Sequence, residues 1–436
     1  MNTPAHDLTA CELAGAIARG SVSASEAVAA AYARIDELEP KVRAWAWLDR
    51  ENAAKTAAAM TDEARAGRLR GPLHGVPVGV KDVFHVEGMP TVANSKTTDP
   101  AARYPDSGVA ASLRAAGAII IGKCETVEFA GMGIPPETRN PWNLAHTAGG
   151  SSSGSGAAVG ARMAPATIGT QTGGSNLRPA AYNGVAGFKP SYGALSRSGC
   201  LPVSWSLDHP GVIARAAEDL PLMFNAIAKQ SLAPQSSERS WRFGLLRGYF
   251  LEKSDSDTVS AVEDAARKLA AKGATITELK LPPLFSSFQA IHRLIMNPEM
   301  ITYHATRLAT DRDRMSARHR LSVEAFSLVP ASYYLQALRA RRMLAEQLMM
   351  LFEEVDILIM PTAPGPAPEG LQSTGDASLL SPWSLVGFPA ATTPCGLSSN
   401  GLPLGLQLVG PRNGDQTVLA SAIFAEKVLG RLSLPF

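Results

Sequence analysis

In the stretch GTQTGGSNLRPAAYNG, residues 169–184, Ser175 follows two glycines and Arg178 stands three positions further on. A second serine run, GGSSSGSGAAVG over 149–160, sets Ser151, Ser152 and Ser153 on an equally bare backbone. Lys81 closes an apolar run in PVGVKDVF, residues 77–84, where its ammonium has no easy route to bulk water. Such a lysine must be paired or neutral, because burial disfavours the charged form. A neutral lysine can take the proton of a serine hydroxyl, which is otherwise a poor nucleophile. Each serine turn alone could be a tight structural crossing. The three features together are harder to read as scaffold.

Three familiar motifs almost occur and fail on context. GAIIIGKC, from Gly117 to Cys124, matches GxxxxGK, but its interior is β-branched and apolar. Its last position is Cys rather than the Ser or Thr that holds magnesium. GSGAAVG, from Gly154 to Gly160, misses the dinucleotide fingerprint by one residue and follows no strand. GSSSG, from Gly150 to Gly154, fits the nucleophile elbow with Ser152 at its centre. An elbow needs an apolar strand directly before it, whereas the preceding TRNPWNLAHTAG reads as loop. His292, His304 and His319 lie in helical text, and His209 in SLDHPG reads as a structural histidine.

GVPVGVKDVF (75–84), GGSSSGSGAAVG and GTQTGGSNLRPAAYNGVAGFKPS (169–191) together resemble the amidase signature family of serine hydrolases, in order and spacing as well as in letters. The resemblance covers nearly the whole chain, through DHPGVIARAAEDL to PWSLVGFPAATTPCG and GLPLGLQLVG. The run GTQTGGS followed by RPAAY is most similar to malonamidase-type members and departs from the commoner GTDTGGSIRxP pattern. The resemblance implies that Ser175 is the nucleophile, that Ser151, 24 positions upstream, is the bridging serine, and that Lys81 is the base. It further implies an oxyanion hole built from the backbone N–H groups of Thr172, Gly173, Gly174 and Ser175. The chemistry fits these roles. A lysine serves as base only when its pKa falls well below about 10.4, and burial supplies that push. Ser151 would accept the proton of Ser175 while donating its own to Lys81, then return it to the leaving amine. Losing one oxyanion donor typically costs about 3–4 kcal/mol of transition-state stabilisation, so bare glycines suit the site. The scheme calls for no metal and no cofactor. Ser152 and Ser153 are expected to hold their loop by hydrogen bonds.

Arg178 raises the question of substrate. The resemblance implies that it binds a free carboxylate, a task suited to the planar two-point fork of guanidinium. The other reading ties it to carbonyls or an acid near the RPAAY turn. Gln171 stands where the commoner motif has Asp, so it is expected to leave Arg178 less neutralised and to favour an anionic substrate. The expected activity is hydrolysis of a linear C–N amide, through a Ser-Ser-Lys triad and an acyl-enzyme, on a small amide that carries a carboxylate. The alternative is a glutamyl-tRNA amidotransferase A-type subunit releasing ammonia from glutamine for a partner. Gln171 and the lack of a basic surface stretch weigh against it. Tyr303, His304, Arg307 and Tyr334 are either pocket residues or plain helix faces.

These residues need a frame. With 436 residues and 45% hydrophobic content, the chain can bury a sizeable core. A net charge of +2 with scattered basic residues points to small-molecule partners rather than nucleic acid or a membrane surface. Four cysteines (Cys11, Cys124, Cys200, Cys395) lie far apart and are expected to be reduced. The first residues lack a secretory signal, and no apolar run reaches the roughly eighteen residues of a membrane span, so a cytoplasmic location is expected. A homodimer is implied by analogy with malonamidase-type relatives.

Thr9 with Glu12, and Ser23 with Glu26, have capping-box spacing, and the second helix is expected to stop at Pro40. Short apolar runs such as GVPVGV and GAIIIG alternate with helical text such as SGVAASLRAAG, which is an α/β pattern. The expected fold is a large central mixed β-sheet flanked by helices on both faces, in a single domain over 1–436. Its N-terminal helical region covers about 1–70 and its catalytic core about 71–228. A variable lobe spans about 230–350, opened by the polar stretch KQSLAPQSSERS (229–240), and the chain returns to the sheet over 351–436. The Gly/Ser-rich segment 146–200 carries apolar residues throughout and is expected to be close-packed rather than a tether.

Overall fold

The apolar runs become strands, and the capped segments become helices. A computed structural model describes residues 3–233, 235–237 and 239–434. In chain order its strands are β1 (Trp45–Leu48), β2 (Pro77–Lys81), β3 (Ile119–Cys124), β4 (Arg139–Asn140), β5 (Asn143–Thr147), β6 (Ala166–Gln171) and β7 (Ala186–Lys189). They continue as β8 (His209–Ala214), β9 (Arg242–Leu245), β10 (Thr275–Glu278), β11 (Ile357–Pro361), β12 (Ala390–Leu397) and β13 (Pro403–Val409). Among the described residues eleven of these form one sheet, in the order β1-β3-β2-β6-β8-β7-β12-β13-β11-β9-β10. The parallel group β3, β2 and β6 sits near one edge, and β11, β9 and β10 form a second parallel group at the other. The strands between them pair antiparallel.

Both faces of this mixed sheet are covered, because successive strand residues point to opposite sides. On β3, Ile120 packs in the largest core with Val78 and Val80. Ile119 and Ile121 pack in another, with Val28 and Ile35 of the Ala24–Val42 helix. On β11, Ile357 and Ile359 face the largest core, while Leu358 and Met360 join Phe288 and Trp383 on the other side. Helices therefore flank the sheet on both faces.

Both capping boxes form, at Thr9 with Glu12 and at Ser23 with Glu26. The second helix, however, runs past Pro40 to Val42 and ends where Arg43 turns left-handed. A proline this close to the end disturbs only the last turn. The TRNPWNLAHTAG stretch, read as loop, contains the small half-exposed hairpin of β4 and β5. It stays separate from the main sheet, so the strand that precedes GSSSG belongs to this hairpin and not to the main sheet. Residues 230–350 only partly form an excursion. β9 and β10 extend the main sheet, and helices such as Phe288–Thr310, Ala317–Phe326 and Ala331–Met349 make up the rest. Two positions of the polar stretch, 234 and 238, lie outside the described residues.

The serine-glycine run forms the helix Ser153–Gly160, buried along its whole length. A Cβ at Gly154 would lie 2.1 Å from the Ala44 carbonyl oxygen and 2.4 Å from the Glu125 nitrogen, so only a bare backbone fits there. The segment is packed scaffold, as its apolar content implied.

Beside Lys81, the fully buried Lys123 ion-pairs with Asp82 at 2.8 Å and also donates to the Pro90 carbonyl and the Thr91 hydroxyl. The second carboxylate oxygen of Asp82 accepts the N–H groups of Val92 and Ala93. Asp82→Ala would leave Lys123 buried without its counter-charge. The expected loss is about 3–5 kcal/mol of unfolding free energy, read from urea denaturation. A loss below about 1 kcal/mol would show that the pair is dispensable.

Candidate active site

Lys81 is the last residue of β2, between β3 and β6, so its side chain leaves at the carboxyl ends of parallel strands. Open α/β sheets place ligand crevices there. Lys81 is fully buried, and its Nζ lies 2.8 Å from Ser151 Oγ and 2.7 Å from Thr170 Oγ1. Lys123 has a carboxylate; Lys81 has two hydroxyls. Burial pulls its pKa from 10.5 down to about 7, only partly opposed by Cys200 and Asp208 nearby. As an ammonium Nζ donates to both hydroxyls. As a neutral amine it keeps a lone pair for one of them.

The two serine loops are tied together. Ser152 N–H donates to the Ser175 carbonyl at 3.1 Å. The Ser152 hydroxyl donates to the Thr170 carbonyl and accepts the Thr170 N–H, both at 3.2 Å, and the Ser153 hydroxyl donates to the Gly149 carbonyl at 2.7 Å. Both are fasteners, as expected. Ser151 is buried, whereas Ser175 is partly open, and both line one cavity of about 560 Å³.

Between β6 and the helix Leu177–Tyr182 the chain makes the TGGS turn, and its carbonyls are all engaged. Thr172 O accepts from His292 Nε2 at 3.0 Å and Gly173 O from the Ser384 hydroxyl at 2.7 Å. Gly174 O accepts from Arg178 N–H, and Ser175 O from Ser152 N–H, both at 3.1 Å. The N–H groups of residues 172–175 find no acceptor among the described residues, and all four residues line the cavity. With carbonyls held and amides free, the turn can stabilise a developing negative oxygen. The Thr172 hydroxyl donates to Asp208 at 2.5 Å, and the N–H groups of Val203 and Ser204 hold the other oxygen of that carboxylate. Burial raises Asp208 to about 6.

Gln171 does not line the cavity, and its expected role needs correction. Its side-chain oxygen accepts the N–H groups of Asn176 and Leu177, both at 3.0 Å, which caps the following helix. Its amide nitrogen donates to Ser384 at 3.1 Å, a bond no carboxylate could make. The change from Asp thus alters how the turn is fastened. Arg178 does line the cavity, but it is buried and its guanidinium is committed. It donates to the Gly150 carbonyl at 2.6 Å, the Thr374 hydroxyl at 3.0 Å and the Gly375 carbonyl at 2.9 Å.

His209 Nδ1 lies 2.6 Å from the Leu207 carbonyl, and burial holds its pKa well below the usual range, in keeping with a structural role. Tyr303, His304, Arg307 and Tyr334 are not on the cavity lining. Arg307 lies over the Phe129 and Tyr303 rings, and Tyr334 donates to Glu299. Sequence reasoning missed Thr170, Asp208, His292 and Ser384. Thr170 sat unused inside the quoted motif, Asp208 and Ser384 sat unused in DHPGVIARAAEDL and PWSLVGFPAATTPCG, and His292 lay in helical text. These last three lie 33 or more positions from Ser175, so no local spacing ties them to it.

The structure has close relatives among known proteins. The Amidase family model matches residues 26–419. The chain is 33% identical to the A-type subunit of glutamyl-tRNA(Gln) amidotransferase from Geobacter metallireducens, over 95% of this chain and 96% of that one. A crystal structure of an amidase superimposes with a TM-score of 0.91 at 32% identity, covering 97% of this chain and 100% of the other. The native peptide amidase of Stenotrophomonas maltophilia gives 0.86 at 27% identity, covering 99% of both. Fold and relatives together define a C–N amide hydrolase. The chain belongs to the amidase signature family. These relatives lend no specific support to a malonamidase type. Among the described residues no helix is long and apolar enough to cross a membrane.

Proposed function

We propose that Ser175 attacks the carbonyl of a small amide that carries a carboxylate, with Ser151 and Lys81 as proton relay and base. The Ser175 proton passes to Ser151 Oγ as the proton of Ser151 passes to Lys81 Nζ. The tetrahedral oxyanion rests on the free N–H groups of residues 172–175. Its collapse breaks the C–N bond, and Ser151 returns the proton to the departing ammonia or amine. Water then cleaves the acyl-enzyme by the same relay. The observation that carries this reading is a buried lysine whose hydrogen-bond partners among the described residues are two hydroxyls, one of them Ser151, beside a turn whose amides find no acceptor among those residues.

A second reading has specific support. The curated relative is the A-type component of an amidotransferase, matched along nearly its whole length, which favours glutamine as the amide and a partner as the recipient of ammonia. Gln171 no longer counts against it, since the residue fastens the turn and leaves the cavity lining to others. Glutamine is itself a small amide with a carboxylate, so one site chemistry serves both readings. Ammonia release by the purified chain separates them. Turnover of several amides with little from glutamine supports a free-standing amidase, and preference for glutamine supports the amidotransferase component. Failure of a fluorophosphonate to label Ser175 would sink both.

The pH profile follows from Lys81. Its neutral form is the base, and that fraction grows as pH rises through about 7. We expect kcat/KM to rise about tenfold per pH unit below that point and to level off above it. A profile that is flat or falling between pH 5.5 and 8 would remove Lys81 from the base role.

A further inference from the structure

The cavity has a wall that none of the serine motifs contains. Gln289, His292, Arg293, Met296 and Asn297 line it from one face of the Phe288–Thr310 helix, at spacings of three and four that stack side chains along a helix. Arg293 is exposed there, and among the described residues it makes no hydrogen bond, ion pair or ring contact. One turn on, Asn297 is only 2% exposed, and its side-chain oxygen has no partner. No hydrogen bond from its amide nitrogen to another described residue is formed either. Arg318, also on the lining, donates to the Gln372 carbonyl at 3.0 Å. Asp376, the acid on this lining, accepts from the N–H and hydroxyl of Ser378 and has Lys253 at 3.7 Å. The lining therefore holds more positive than negative charge, and its uncommitted cation is Arg293.

Arg178 is a poor candidate for the same task. Three acceptors already hold its guanidinium, and its Nε is closed off without a partner. Turning it toward a ligand would break its bonds to the loop of Gly150, next to Ser151.

Resting on the amide-hydrolase reading, we propose that Arg293, with Asn297 beside it, is the specificity determinant that binds the substrate's carboxylate, and that Arg178 is a strut of the serine loop. The ligand class is a short amide ending in a carboxylate, such as a dicarboxylic acid monoamide or glutamine. Guanidinium offers carboxylate a two-point fork, and a neighbouring amide N–H adds a third donor. An arginine free of a protein partner gives up nothing but water to make these bonds.

The test pairs malonamate, succinamate, glutaramate and L-glutamine with malonamide, succinamide, glutaramide and glutaminamide. Two readouts are taken: the ratio of kcat/KM for acid over neutral amide, and protection of Ser175 from a fluorophosphonate. In Arg293→Met the ratio should fall about tenfold or more, mainly through KM for the acids, and protection by acids should weaken to match. Arg293→Lys should recover part of the ratio. Arg178→Met should lower turnover of both members of a pair and keep their ratio. An unchanged ratio in Arg293→Met, or a ratio lost in Arg178→Met alone, overturns the proposal. Labelling of wild-type Ser175 that carboxylates do not slow also overturns it while leaving the amidase reading intact. A wild-type Ser175 that is neither labelled nor active means that the underlying reading has failed.

Discussion

Lys81→Ala is expected to lower kcat/KM by about four to six orders of magnitude, measured as ammonia or amine release by folded protein. The reason is geometric as well as electrostatic. Ser151 Oγ and Thr170 Oγ1 are the polar partners of Lys81 Nζ in a fully buried site. Once the amine is gone, the proton of Ser175 has no base at the end of its relay. Ser175→Ala should cost as much, and the double variant should be no worse than either single one, because residues that act as a unit lose their effect together. Alanine at 81 also removes a buried group whose pKa is already depressed to about 7, so the fold should tolerate the change. A thermal melt close to wild type would separate lost chemistry from lost structure. Turnover within tenfold of wild type would end the proposal for Lys81.

Ser151→Ala is expected to cost about two to four orders of magnitude, less than loss of the base. Ser151 contributes position. It stands between a lysine fixed at 2.8 Å and a cavity it shares with Ser175. A water filling the space of the lost hydroxyl could carry the proton with poorer alignment, which leaves residual activity. Because the burial of Lys81 is unchanged, the remaining activity should still rise through pH of about 7. Fluorophosphonate labelling of Ser175 should slow in proportion. A loss below about tenfold would make Ser151 a fastener like Ser152, and a shifted pH profile would mean that it tunes the lysine rather than relays its proton.

Local signals carried much of the fold. The apolar runs at 77–81, 119–124, 357–361 and 403–409 became sheet strands. Strand and capping signals depend on neighbours a few residues apart, so they survive without tertiary context. Pro40 misled because a helix can absorb a proline in its last turn. The excursion expected at 230–350 also holds sheet strands, because β9 finds a partner far along the chain, on β11, and β10 then pairs with β9.

The candidate site divides in the same way. Its glycine-serine turns, and the lysine at the end of an apolar strand, were legible because bare backbone and a cation in apolar text are unusual in sequence. The family resemblance carried by these same stretches pointed to Ser175, Ser151 and Lys81 for the proposed roles of nucleophile, relay and base. Only the tertiary structure decided what surrounds them. It brought Lys81 to Ser151 across 70 positions and held the Thr172 carbonyl with His292 from 120 positions away. It moved Gln171 off the cavity lining by giving its amide to Ser384, and it occupied Arg178 with carbonyls. It also set Arg293, a residue without a motif, on the cavity wall. Whether a charge is free or already paired depends on residues distant in the chain, and no local pattern records that.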